Sequence, residues 1–212
     1  MYNILDYLVT GGAFVKNITV PTDKTLSSLM IYSTSLCQSR CKHCSIWKKP
    51  IEHLSLSDII RIMSSKCVTK RTTVGLEGGE FILHPEADAI LNWLHNNHTN
   101  YTLLSNCLAP SKVIEAVKKY NIDTIYNLAA LLSVVAEGKP RLAWKIGIDG
   151  LWNVLEVARE NNCAVFTPSS IGSFGPNSPH DMTPQDTIQR PITIYGVSKV
   201  TTELLSDYYR KK

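Results

Sequence analysis

Short apolar runs alternate with stretches of helical spacing from residue 29 to the C-terminal end of the chain. Leu29-Met30-Ile31-Tyr32-Ser33 is a continuous, mainly apolar run and predicts a buried strand. Thr72-Thr73-Val74-Gly75-Leu76 is β-branched and predicts a second strand, with further strands over 101–104, 124–128 and 163–167. Between them, residues 57–63 have helical spacing, and Ser55 or Ser57 is placed to cap that helix. Over 86–95, Ala87, Ile90, Leu91 and Leu94 fall on one helical face. Pro110 precedes a helix over 111–120 that offers Val113, Ile114 and Val117 for burial. A long helix is predicted over 143–160 and a last one over 194–209. Repeated β–α alternation predicts an α/β fold, with a mostly parallel sheet of about five strands covered by helices and right-handed crossovers.

Composition narrows the function classes. At 212 residues the chain fits one large domain or two small ones, and no Pro/Gly/Ser-rich linker divides it. The net charge of +4 is scattered, and no basic stripe is interleaved with aromatics, so no nucleic-acid partner is predicted. Arg210-Lys211-Lys212 reads as a solvated tail. No apolar run is long enough for a bilayer, and Asp6 and Lys16 interrupt the segment where a signal peptide would need its apolar core. The two glycosylation-like triplets at Asn17 and Asn97 therefore carry no weight. Three of the six cysteines are clustered and three isolated, which suits a reducing, cytoplasmic setting rather than a disulfide framework. Cys67 and Cys107 are expected in the core.

The clustered cysteines are Cys37, Cys41 and Cys44, in a loop directly after the first strand. Three soft, charged thiolates suit an iron–sulfur cluster, holding three corners and leaving one iron open. Zinc would want a fourth ligand, and His43 is the near candidate; spacing alone leaves cluster against zinc open. The next strand ends in Gly78-Gly79-Glu80. A cysteine trio after one strand and Gly-Gly-Glu after the next resembles the radical S-adenosylmethionine enzymes. The resemblance implies a [4Fe–4S] cluster on Cys37, Cys41 and Cys44, S-adenosylmethionine on its open iron, and Gly78, Gly79 and Glu80 beside the methionine part. Phe81 stands where the motif often has proline, and Ser105-Asn106 falls where the family often places polar cofactor contacts. About three of the family's barrel units are present, so the fold implied for residues 1–122 is a partial barrel.

The second half carries different chemistry. Tyr195 and Lys199 are four apart on a predicted helix and so share a face. A neighbouring lysine cation favours a phenolate, and such a pair can move a proton to or from an alcohol that the Ser170 hydroxyl orients. Ser170 precedes the pair in a Thr167–Pro176 turn, and Asn127-Leu128-Ala129-Ala130 lies at an earlier strand end. The order and spacing resemble the extended short-chain dehydrogenase/epimerase family, and residues 184–199 look most like its L-threonine 3-dehydrogenase branch. That implies NAD-dependent oxidation of L-threonine, with Ser170, Tyr195 and Lys199 catalytic. It also implies that Ala129, Ala130 and Pro168 border the nicotinamide side of NAD. The family's glycine-rich pyrophosphate turn has no counterpart before Thr124. Val9-Thr10-Gly11-Gly12-Ala13-Phe14 is read as a turn, because no helix pattern follows before Pro21. Residues 123–212 are thus expected to be a partial Rossmann-like fold.

The two resemblances meet near Asn121–Tyr126 and imply a fusion of two truncated parts, 1–122 and 123–212. The property expected to survive is binding of the cluster and S-adenosylmethionine. The alternatives are an NAD-dependent oxidoreductase acting on a small molecule, and a non-catalytic recombined or misassembled product. Exposed sheet or helix surface would favour homo-oligomers.

Overall fold

The computed structural model describes residues 12, 14–19, 24–98 and 100–211. The chain divides into two compact units, Met1–Tyr120 and Asn121–Lys212.

In the first unit, β1 (Ser28–Thr34), β2 (Thr73–Gly78) and β3 (Tyr101–Leu103) form a parallel sheet in that order. Ile31 pairs with Leu76, and Leu76 pairs in turn with Leu103. Central β2 buries Val74, Gly75 and Leu76. β1 is buried on one face only: Ile31 is 3% exposed, whereas Met30 and Tyr32 are exposed. An apolar run thus conceals an alternating strand, because only one side of β1 meets the core.

The helices α1 (Leu56–Met63), α2 (Ala87–Asn97) and α3 (Pro110–Lys119) supply the other layer. Ser55 and Asp58 form a reciprocal capping box at the start of α1, so the cap is Ser55 and not Ser57. α2 buries Ala87, Ile90, Leu91 and Leu94, the face predicted. Phe81 in the turn Phe81–Leu83 is wholly buried beside this layer. Buried Thr72 is satisfied across the unit: it donates through Oγ1 to the Leu26 carbonyl, and its own carbonyl bonds His98 Nε2 at 2.6 Å.

In the second unit, β4 (Thr124–Tyr126) and β5 (Ala164–Phe166) form a separate two-stranded parallel sheet. Between them run α4 (Ser133–Gly138), α5 (Pro140–Trp144), a π-helical turn (Lys145–Asp149) and α6 (Gly150–Asn161). Asn162 ends α6 at φ 55°, a left-handed cap that asparagine tolerates. Burial raises the pKa of the Cys163 thiol, with nearby Asp123 adding to it, and the thiol donates to the Ile122 carbonyl at 2.9 Å. The last helix, α7 (Ile194–Tyr209), buries Gly196, Ser198, Lys199 and Thr202. The Ser198 and Thr202 hydroxyls donate back to Tyr195 and Ser198 carbonyls, which lets a polar stripe be buried.

Several expectations need correction. The five strands form a three-stranded and a two-stranded sheet, because β4 and β5 hydrogen-bond to each other. Among the described residues the first sheet is open, with β1 and β3 at its edges, and shows no barrel closure. The helix expected over 143–160 is broken by the π turn containing Gly147 and begins earlier at Pro140. Cys67 and Cys107 are exposed, not core. Cys67 sits in a turn where its carbonyl accepts from Leu26, and Cys107 sits in a loop at φ 55°. Residues 14–19 are helical, although no helix was expected before Pro21. Most of the turn assigned at Val9–Phe14 lies outside the described residues. Among the described residues no helix is long and apolar enough to cross a membrane.

Candidate functional site

The start of α7 is fixed twice. Thr193 caps it by accepting the Gly196 N–H at 3.0 Å, and Glu137 on α4 accepts the Ile194 N–H at 2.7 Å. This places Tyr195 and Lys199 in successive turns. Lys199 is 8% exposed, its Nζ donates to the Pro168 carbonyl at 2.7 Å and lies 5.7 Å from the Tyr195 ring centroid. Ser170 caps the turn Ile171–Ser173, its Oγ accepting the Gly172 N–H at 3.2 Å.

Gly172 brings the serine and the tyrosine together. A Cβ there would lie 3.2 and 3.3 Å from Tyr195 Cδ1 and Cε1 and 3.5 Å from Ser170 Oγ. A Cβ on Gly196 would lie 2.2 Å from the Gly172 carbonyl oxygen, so only glycine allows this approach of α7 to the serine turn. Neither glycine was singled out by the sequence reading, because their importance depends on this contact.

Ala129 and Ala130 line a cleft with Asn127, Thr167, Ser198 and Lys199. Its volume is about 10 Å³, room for about one water. Small side chains and a buried cation suit the chemistry of a nicotinamide and its ribose, but a ring enters only if the cleft opens. All six residues assigned to the dehydrogenase site (Ser170, Tyr195, Lys199, Ala129, Ala130 and Pro168) lie in the second unit. The structure joins Lys199 directly to Pro168 and sets Tyr195 against the Ser170 turn.

In the first unit the Gly-Gly-Glu segment is seated on the start of the cysteine loop. Gly78 has φ 113°, the Gly79 N–H donates to the Thr34 carbonyl and the Glu80 N–H to the Leu36 carbonyl, both at 2.7 Å. A Cβ on Gly79 would meet the Leu36 oxygen at 2.1 Å. Glu80 is 1% exposed and accepts from Ser105 Oγ at 2.8 Å and from the Asn106 N–H at 2.7 Å. Asn106 Nδ2 lies 3.8 Å from Cys37 Sγ and 3.0 Å from Ser39 Oγ.

Cys37, Cys41 and Cys44, the residues expected to hold a cluster, lie in the loop between β1 and the turn Ile46–Lys48. Among the described residues no group of three or more His, Cys, Asp or Glu side chains is placed to hold a metal ion. Within the loop the Cys44 N–H donates to the Cys41 carbonyl at 3.2 Å. Cys41 is exposed, and Cys37 and Cys44 are half-buried.

Residues 88–212, more than half of the chain, match the NAD dependent epimerase/dehydratase family. The chain belongs to that family. The match begins ahead of the join predicted at 122/123 and takes in α2 and α3. An uncharacterised epimerase/dehydratase of Staphylococcus saprophyticus is 52% identical over 102 residues, 48% of this chain and 32% of that protein. The L-threonine dehydrogenase of Clostridium difficile aligns at 42% identity and a TM-score of 0.49, over 72% of this chain and 44% of that one. The holo form of a GalE-like L-threonine dehydrogenase from Cupriavidus necator aligns at 29% identity and a TM-score of 0.50, covering 74% and 47%. The chain therefore spans about a third of the length of the curated relatives it matches. The comparisons give no support to a radical S-adenosylmethionine segment, and it is the alternative reading, an NAD-dependent oxidoreductase, that they favour.

Proposed function

We propose that residues 121–211 carry the proton-transfer part of an NAD-dependent dehydrogenase site for a small hydroxy compound, with L-threonine as the substrate to test first. One observation carries the reading: Ser170 and Tyr195 meet at Gly172, and Lys199 Nζ lies 5.7 Å from the Tyr195 ring centroid, within a single unit. Family membership supplies the cofactor class, and the likeness to the Cupriavidus enzyme points to the substrate.

Ser170 Oγ accepts from Gly172, which leaves its O–H to orient the substrate alcohol. Tyr195, acting as the phenolate, takes the substrate's hydroxyl proton and becomes the phenol as the hydride leaves and the carbonyl forms. The Lys199 amine, held by Pro168, stands 5.7 Å from that ring, and its positive charge favours the phenolate from which the transfer starts. Ala129 and Ala130 are short enough to let a nicotinamide approach Lys199 once the cleft opens. NAD, when bound, accepts the hydride. With L-threonine the product is 2-amino-3-oxobutanoate.

The test is NADH formation from NAD⁺ and L-threonine. Tyr195→Phe is expected to lower turnover by about 10²- to 10⁴-fold with the thermal transition unchanged. A native chain that binds NAD⁺ but gives Tyr195→Phe the same turnover contradicts the assignment.

A second reading, the cluster and S-adenosylmethionine in the first unit, rests on the Gly79 and Glu80 contacts under the cysteine loop and on Asn106 beside Cys37. It requires the loop to close so that three sulfurs converge. Anaerobic reconstitution with iron and sulfide tests it: broad visible absorption that Cys41→Ala abolishes supports it, and a colourless native protein ends it.

A further inference from the structure

Lys199 is followed one helical turn later by Glu203, on the same stripe of α7 as Tyr195 and Lys199. Its carboxylate is half-buried and splits between two partners. Oε1 accepts the Ser169 hydroxyl, and Oε2 accepts Gln189 Nε2 at 3.0 Å. The same Gln189 nitrogen donates to Ser173 Oγ at 3.0 Å, and Ser173 is 1% exposed. Ser169 and Ser173 bracket Ser170 and Gly172 in the chain. One carboxylate therefore grips the serine turn at both ends, directly at one and through an amide at the other. A carboxylate suits this task because it offers acceptors only, on two oxygens, and its hydrogen bonds are charge-assisted.

The serine turn is also tied to α7 by the Lys199–Pro168 bond and by the Gly172–Gly196 contact. These lie before the turn and beneath it. Neither holds its far end at Ser173, and Glu203 with Gln189 does.

We propose that Glu203 is a positioning residue that, through Ser169 and through Gln189–Ser173, sets the Ser170 hydroxyl against the Tyr195 ring. This rests on the dehydrogenase reading of the same site. Glu203 itself touches neither Ser170 nor Tyr195 in any hydrogen bond the structure shows, so its effect passes through the turn.

The test labels position 195 of the full chain with 3-fluorotyrosine and compares native Glu203 with Glu203→Ala and Glu203→Gln. In Glu203→Ala the fluorine line is expected to shift and broaden well below the thermal transition, and the Gly172 and Ser173 amides to exchange about tenfold faster. Glu203→Gln, which keeps one acceptor oxygen, is expected to recover part of both. Turnover of L-threonine is expected to fall through kcat, with KM for NAD⁺ little changed. An unmoved fluorine line with unchanged exchange overturns the proposal, as does a lowered thermal transition with an unmoved line, which marks a merely structural role. If Glu203→Ala does not fold, Ser169→Ala and Gln189→Ala each cut one arm and are read in the same way. If the native chain neither binds NAD⁺ nor turns over L-threonine, the dehydrogenase reading fails, while the fluorine and exchange readings still decide what Glu203 holds.

Discussion

The two units spend their buried positions differently. Met1–Tyr120 buries large apolar side chains around a central strand, with Phe81, Ile59, Leu76, Ile90 and Leu94 fully enclosed. Asn121–Lys212 has a thinner apolar core, in which Leu151 is the one large side chain fully enclosed among the described residues; both units bury polar groups, Ser33, Thr34, Thr72, Glu80, His84 and His98 in the first and Ser173, Ser198, Lys199 and Thr202 in the second. The second unit also leaves Leu128, Leu132, Ile171, Ile188 and Ile192 exposed. Burying an amine and three hydroxyls is favourable only where each has a partner, and Pro168, Tyr195, Ser198 and Gln189 supply them. The comparison teaches that the unit richer in apolar burial is not the one to which the proposed dehydrogenase residues belong.

The largest effect that would sharpen this contrast is in the first unit. Phe81→Ala is expected to cost about 3–5 kcal/mol, read from the denaturant transition of the first unit's own amides. A cost below about 1 kcal/mol would break the claim that this unit rests on apolar packing. In the second unit the matching lesion is a gain of volume. Gly196→Ala forces a Cβ toward the Gly172 carbonyl and is expected to cost about 1–3 kcal/mol, with turnover falling as the serine turn moves away from Tyr195. Unchanged turnover would show that the close approach of α7 to Gly172 is not needed.

The smallest effect concerns pH. Burial, with His53 nearby adding to it, holds the His84 imidazole below its ordinary value of 6.5, against the opposing bond to the Leu54 carbonyl and the Glu86 charge. The folded state then takes up this proton less readily than the unfolded chain. The His84 contribution is fully present above about pH 6.5 and is lost as pH falls through the lower folded value. The first unit's unfolding midpoint is therefore expected to drop on acidification, and His84→Gln to flatten that slope. A midpoint that rises as pH falls would contradict the assignment.

Much of this was legible in the residues. α7 was bounded correctly because Thr193 offers a cap and the residues after it are compatible with a helix throughout. The buried face of α2 followed from spacing alone. Pairing was not legible: five apolar runs do not reveal which strands bond to which, so a single sheet was expected where two exist. The broken helix was missed because Gly147 and Gly150 lower helix propensity without showing where a π turn forms. α4 was missed because its six residues are too short to display periodicity. Order and spacing singled out Ser170, Tyr195 and Lys199, and the structure sets Tyr195 against the Ser170 turn and Lys199 against Pro168. Glu203 left a signal too, at four residues past Lys199, but its partners Ser169 and Gln189 are defined only once the loop folds back. Spacing singled out the cysteine trio too, yet among the described residues no group of three or more His, Cys, Asp or Glu side chains is placed to hold a metal ion.

Calorimetric titration of the chain with NAD⁺ tests the central claim most directly. The account predicts saturable one-to-one binding that Lys199→Ala abolishes or strongly weakens. Absence of binding by a folded native chain, or binding that is indifferent to Lys199→Ala, would contradict it.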